Sequence, residues 1–333
     1  MDFKRVAIIG TNCISASIGM KLKELGEPPT VVGYDREAVA ANLARSMGAF
    51  DRVERKPGQA CQGADLVIVA VPLSEVRDTF AAIAPHLEPR CLVTDTACLK
   101  VPVMRWADEV LPRKVHFAGG HPIPNPAIAG FNSLEGLDEA SADLLTEALY
   151  CFTTPSHLSN ANDFADLAVA LDAHPFFIDA TEHDGLHAGA EGLPQLLAIA
   201  LLQATVDTPG WQEMRKLAGR SFAAATGVAD SAGEHHSAVF LNRENIVLRL
   251  NVLLGELVRM RDLLSQDDPE PFEQVVLAAA EGREVWLQER ERGLWTTERA
   301  LGEKDVPGVG ERFGQLLFGN SLSRRLKEPD RSR

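Results

Sequence analysis

The chemistry this chain could perform is most visible in Gly119-Gly120-His121-Pro122-Ile123-Pro124-Asn125-Pro126, where one imidazole sits behind two glycines and among three prolines. Paired glycines let main chain approach a bound molecule, and prolines stiffen the loop that presents His121. An imidazole with an ordinary pKa of about 6.5 suits removal of a proton from an alcohol near neutral pH, which makes His121 a general-base candidate. A second segment, Thr94-Asp95-Thr96-Ala97-Cys98-Leu99-Lys100, gathers a carboxylate, a thiol and an ammonium at a strand-to-helix turn. By itself it reads first as a helix start capped by Thr94 or Asp95, with Lys100 in solvent. The third candidate is Glu182-His183-Asp184, for which a capped, solvated helix start and a role in a cleft between domains both stay open.

These groups need elements to hold them. Lys4-Arg5-Val6-Ala7-Ile8-Ile9-Gly10-Thr11-Asn12-Cys13-Ile14-Ser15 reads as strand, tight turn and helix start, and Thr30-Val31-Val32-Gly33-Tyr34-Asp35 as the next strand ending in an acid. The free N–H groups of Thr11, Asn12, Cys13 and Ile14 at a helix start can hold a pyrophosphate beside Gly10. Asp35 then stands where a ribose diol needs an acceptor, with Arg36 next to it. Only the first glycine of the G-x-G-x-x-G fingerprint is present. Asn12 and Ser15 take the other two places, and a side chain at Asn12 is expected to crowd a cofactor. An ordinary strand-helix-strand start without a dinucleotide is the competing reading. With a nicotinamide cofactor beside it, His121 would take an alcohol proton while hydride leaves the same carbon.

The pattern continues with a helix over Ala38 to Met47 and a continuously apolar strand from Ala64 to Val71, ended by Pro72 at the carboxyl edge where ligands gather. Further strands are expected at Cys91–Asp95, Val115–Gly119, Leu149–Phe152 and Pro175–Asp179, with a helix near Phe164 to Leu171. Strands alternating with helices predict a doubly wound α/β domain over residues 1–179. From about Thr181 the β-branched runs end and helical spacing takes over, notably from Asn242 to Leu264. The expectation is an all-helical domain over 180–318, buried against a second subunit as a homodimer, then a flexible basic tail over 319–333.

At 333 residues the chain is long enough for two cores. A net charge of −14 argues against nucleic acid or an anionic membrane as partner. The five cysteines include no C-x-x-C pair, which fits reduced thiols and no metal site. The first residues lead straight into a strand and no apolar run reaches membrane-spanning length, so a cytoplasmic protein is expected.

Taken in order, Val6 to Gly10 with Gly33-Tyr34-Asp35-Arg36, Val93 to Lys100, Gly119-Gly120-His121-Pro122, and Glu182-His183-Asp184 with Leu193-Pro194 resemble the prephenate and arogenate dehydrogenase family over about residues 4–265. The resemblance implies a Rossmann domain for NAD or NADP, a helical dimerisation domain, and oxidative decarboxylation of prephenate or arogenate toward tyrosine. It implies His121 as the catalytic histidine, and Cys98 where the family usually carries a serine bridging substrate and cofactor, with Lys100 ranked below it. It places the cofactor along Gly10, Thr11, Asn12, Cys13, Ile14, Asp35, Arg36, Val71, Pro72 and Asp95. Two departures fall on the substrate side. Glu191-Gly192-Leu193-Pro194-Gln195 stands where the family commonly reads S-H-L-P-H, and Thr226 where it carries a carboxylate-binding arginine, with Arg220 the nearest replacement. A dehydrogenase for another cyclohexadienyl or 2-hydroxy acid and a non-catalytic dinucleotide-binding dimer are the alternatives.

Overall fold

The structure, a computed structural model, describes residues 3–129, 134, 136–155, 161–229 and 232–291. Among the described residues, eight strands form one sheet in the order β3-β2-β1-β4-β5-β6-β7-β8. They are β1 (Arg5–Ile9), β2 (Thr30–Tyr34), β3 (Arg52–Val53), β4 (Leu66–Val69), β5 (Leu92–Asp95), β6 (His116–Ile123), β7 (Leu149–Thr153) and β8 (His174–Phe177). All neighbouring pairs run parallel except β6 with β7. The predicted doubly wound α/β sheet is therefore present, with an antiparallel neighbour added beside β6.

Alternation along the central strands builds a core on each face. In β1, Val6 and Ile8 enter one cluster, with Leu66, Ile68 and Leu92 beside them. Ala7 and Ile9 enter the opposite one, with Val67, Val69 and Val93. The first face is covered by α1 (Cys13–Lys23), through Ala16, Ile18 and Leu22, and by Phe164 and Leu167 of α7 (Ala161–Ala170). Helix α2 (Ala38–Ser46) adds Ala44 to the same cluster. The second face is covered by α3 (Pro57–Cys61), α4 (Val76–Ile83) and α5 (Val101–Val110), through Ala60, Phe80 and Val103 among others. A four-residue helix, α6 (Pro126–Ala129), follows β6.

Helices follow β8: α8 (Ala180–His187), a π-helical turn (Ala188–Gly192), α9 (Leu193–Thr205), α10 (Trp211–Leu217), α11 (Arg220–Thr226), α12 (Ala232–Leu241), α13 (Arg243–Leu264) and α14 (Glu270–Glu291). The change from strands to helices falls near the expected Thr181. Contacts make Met1–Ala279 one compact unit, and the second begins at Ala280. The expected tail from Gly319 lies outside the described residues.

One local expectation is corrected. The Gly119-Gly120-His121-Pro122 segment was expected as a loop after a strand ending at Gly119, but β6 runs on to Ile123 because β7 pairs with Gly119 through Ile123. A Cβ on Gly120 would run into the Asp95 carbonyl, so glycine is required for β5 and β6 to approach this closely.

Candidate active site

Strand order reverses between β1 and β4, and a crevice opens there at the carboxyl ends of the strands. It belongs to a cavity of about 1070 Å³ lined by Gly10, Thr11, Asn12, Ile14, Val71 and Pro72 at one side and by Cys98, His121 and His187 at the other. Gly10 has φ +101°, and a Cβ there would strike the Ala70 carbonyl, so the turn out of β1 needs glycine.

The Asn12 side chain, expected to crowd a cofactor, is folded into the turn. Its Oδ1 accepts the Ser15 N–H at 2.9 Å, its Nδ2 donates to the Ala70 carbonyl at 3.2 Å, and Ser15 Oγ accepts the Asn12 N–H at 2.9 Å. Both residues that replace glycines thus form the capping box of α1. Asp35 receives the N–H groups of Thr11 and Glu37, each at 2.7 Å, on different oxygens. An ionised carboxylate offers about four acceptor positions, so two remain for ribose hydroxyls. Thr11 Oγ1 is buried without a partner among the described residues, a hydroxyl placed for a ligand oxygen at the mouth of α1. Orphaned hydroxyl, glycine turn, acceptor carboxylate and cavity size together fit a dinucleotide.

The opposite wall rests on buried charge. Lys100 and Asp95 are both fully buried and paired at 2.6 Å. Lys100 Nζ also donates to the Gly120 carbonyl, and Asp95 accepts the N–H groups of Gly120 and Ala97 at 3.0 and 2.9 Å. This grips Gly120 from both its N–H and its C=O, next to His121. Lys100 is therefore a buried tether rather than a solvated side chain. Neither Lys100 nor Asp95 lines the cavity, and neither does Cys13, which is fully buried in the core beneath it.

His121 is half-buried, with Nδ1 3.0 Å from His183 Nε2. His183 Nδ1 lies 2.9 Å from Asp184 Oδ1. The Asp184 carboxylate accepts the N–H groups of Lys100 at 2.7 Å and Val101 at 2.9 Å, which caps α5 from 84 residues away. The Asn242 amide, one residue before α13, donates to the Asp184 carbonyl at 2.7 Å. His183 and Asp184 are thus buried, against the expectation of a solvated helix start, while Glu182 is exposed. Burial, with His183, His187 and Lys100 nearby, holds the His121 imidazole well below the ordinary histidine range, so its neutral form is present at pH 7. Burial pushes the Cys98 thiol up to about 11, leaving it protonated there too.

His187 was not anticipated. Its ring centroid lies 5.8 Å from that of His121 and 6.2 Å from that of His183, one helical turn earlier. The spacing of four residues between His183 and His187 was the available signal. Glu191 and Gln195 of the altered segment also line the cavity. Arg220 does not: it borders a separate hollow with Met214, Leu217 and Phe222. Among the described lining residues the only Lys or Arg is Arg36, which pairs with Glu75 at 3.1 Å.

A Rossmann crevice shaped for a dinucleotide, facing a half-buried neutral histidine, defines a dehydrogenase. The family model for the prephenate dehydrogenase nucleotide-binding domain matches residues 18–174, and that for the prephenate dehydrogenase dimerization domain matches residues 179–277. The chain is 30% identical to the prephenate dehydrogenase of Lactococcus lactis over 74% of its own length and 66% of that protein's. It is 24% identical to the prephenate dehydrogenase of Bacillus subtilis over 96% and 86% of the two lengths. Among solved structures, prephenate dehydrogenase from A. aeolicus, in complex with hydroxyphenyl propionate and NAD+, shares the fold with a TM-score of 0.75 at 19% identity, covering 85% of this chain and 98% of that one. The chain belongs to the prephenate dehydrogenase family.

Proposed function

We propose that this protein is an NAD-dependent dehydrogenase that oxidatively decarboxylates prephenate or arogenate to 4-hydroxyphenylpyruvate or tyrosine. The observation that carries the reading is the neutral His121 imidazole opening into the same cavity as the Gly10 turn and Asp35. NAD supplies the hydride acceptor. The Gly10 turn, the Thr11 hydroxyl and Ile14 at the start of α1 would hold its pyrophosphate, and Asp35 would accept the ribose hydroxyls. The Asp35 carboxylate repels a 2′-phosphate, and Arg36 is engaged by Glu75, so NAD is favoured over NADP.

His121 Nε2 accepts the ring hydroxyl proton as hydride leaves that carbon, and the ring carboxylate departs as carbon dioxide while the ring becomes aromatic. Cys98, a neutral thiol in the same cavity, offers a weak S–H donor toward the reacting oxygen. The domains divide near residue 179, and the helical part forms a homodimer. Leu248, Val252 and Leu254 of α13 support this, being 65%, 66% and 56% exposed in the single chain. No helix of the described residues is long and apolar enough to cross a membrane. The five free cysteines support a cytoplasmic setting.

The test is NADH formation with NAD and prephenate or arogenate in parallel, with His121→Asn as control. Turnover that the variant abolishes is expected, and a fully active variant would defeat the reading. Glu191 on the cavity wall favours arogenate as the better substrate, because a carboxylate attracts the side-chain ammonium that arogenate has and prephenate, with a keto group there, lacks. An unchanged arogenate-to-prephenate ratio of kcat/KM in Glu191→Gln would rule that preference out.

A further inference from the structure

We propose that His183 and Asp184 are positioning residues that fix the tautomer of His121, leaving its Nε2 as the nitrogen free to take a proton. This rests on His121 being the base. The argument starts at Asp184. Two backbone N–H groups at the start of α5 donate to its carboxylate, from Lys100 at 2.7 Å and Val101 at 2.9 Å. A carboxylate that takes both of these N–H donors acts as an acceptor only. His183 Nδ1, at 2.9 Å, must therefore carry a hydrogen and donate it to Asp184 Oδ1.

A neutral imidazole has one donor nitrogen and one acceptor. With Nδ1 donating, His183 Nε2 accepts, and the atom facing it at 3.0 Å is His121 Nδ1. His121 Nδ1 then bears the hydrogen, and Nε2 bears the lone pair. One carboxylate thus sets the protonation of two rings in series. The opposite arrangement, with a hydrogen on His183 Nε2 pointing at His121 Nδ1, would put the His121 hydrogen on Nε2 and leave no base there.

The line also serves the charged state. When Nε2 takes the substrate proton, the imidazolium keeps its Nδ1–H bond to His183, with the Asp184 anion at the far end. The other titratable groups that the described residues place near His121 are His187 on α8, Lys100 at the start of α5 with its charge matched by Asp95 at 2.6 Å, the neutral Cys98 thiol, Cys151 opposite on β7, and Glu191 on the wall of the same cavity. The device spans a long stretch of chain: Asp184 and Lys100 lie 84 residues apart, and this bond brings them together.

The experiment compares full-length wild type, His183→Phe, His183→Gln and His121→Asn in steady-state kinetics with NAD and the better of prephenate and arogenate, across pH. Phenylalanine keeps a ring in the buried slot without an acceptor, and glutamine restores an acceptor oxygen. In His183→Phe, kcat is expected to fall roughly 10²-fold while both KM values stay within about threefold. His183→Gln should recover about tenfold or more of the lost kcat.

Wild-type kcat in His183→Phe, with His121→Asn dead, would overturn this proposal and leave the base assignment standing. Equal losses in the phenylalanine and glutamine variants would overturn it too, reducing His183 to packing. A fully active His121→Asn would remove the base, and this proposal with it.

Discussion

Replacing Lys100 by methionine tests how far the site depends on charge buried beneath it. The ammonium is fully buried, 2.6 Å from an equally buried Asp95, and also donates to the Gly120 carbonyl. Methionine fills a similar volume, so the loss is electrostatic: Asp95 keeps its N–H donors from Gly120 and Ala97 but loses its counter-charge. Breaking a buried pair by removing one partner costs about 3–5 kcal/mol. At roughly 2–4 °C of Tm per kcal/mol for a domain of this size, the midpoint should fall by about 6–20 °C. Thermal unfolding followed by circular dichroism, at one fixed protein concentration, reads the shift. The double variant Asp95→Asn with Lys100→Met removes the stranded charge and keeps an acceptor for the Gly120 N–H, so it should regain at least half of the loss. A single variant within about 1 kcal/mol of wild type, or a double variant no better than the single, would refute the reasoning.

Gly10→Ala should weaken NAD binding in calorimetry by about tenfold or more, since a side chain at φ +101° meets the Ala70 carbonyl and opens the turn that faces the pyrophosphate. Cys98 should alkylate slowly with iodoacetamide at pH 7 and accelerate as pH approaches its value of about 11, and fast labelling at neutral pH would contradict a protonated thiol. Because burial and neighbouring charges hold His121 well below about 6.5, the neutral base persists as pH falls to that value, and the acid limb of kcat/KM belongs beneath it. A limb centred above pH 7 would exclude His121 as the titrating base.

The sheet was legible because its strands carry apolar runs buried on both faces, such as Leu66-Val67-Ile68-Val69, and because glycine followed by an acid-ended strand marks the first crossover. Strand β3 was not: two residues long, Arg52 and Val53 carry no periodicity. His121 stood out by its glycines, yet its setting in a strand depended on β7, about thirty residues later in the chain and without a local signal. The role of Lys100 was misread for the same reason. Three polar residues beside a helix start suggest a cap in solvent, but the cap comes from Asp184, and only the folded chain brings the two together. Asn12 and Ser15 looked like losses from a glycine fingerprint, since the pattern records which residues are absent and not the hydrogen bonds their replacements make.

The bonds from Asp184 to the start of α5 also bear on modularity. A fragment ending at Asp179 would retain the Gly10 turn, Asp35 and the whole sheet, the apparatus for holding a nucleotide. It would lack the carboxylate that closes the first turn of α5 and the ring against which His121 rests. With the roles proposed above, nucleotide recognition would be separable from catalysis in this chain, whereas catalysis would need the helices. Recombining the first 179 residues with the helical half of a relative would make a working enzyme only if the incoming half restored a histidine and an acid in register with Lys100 and Val101.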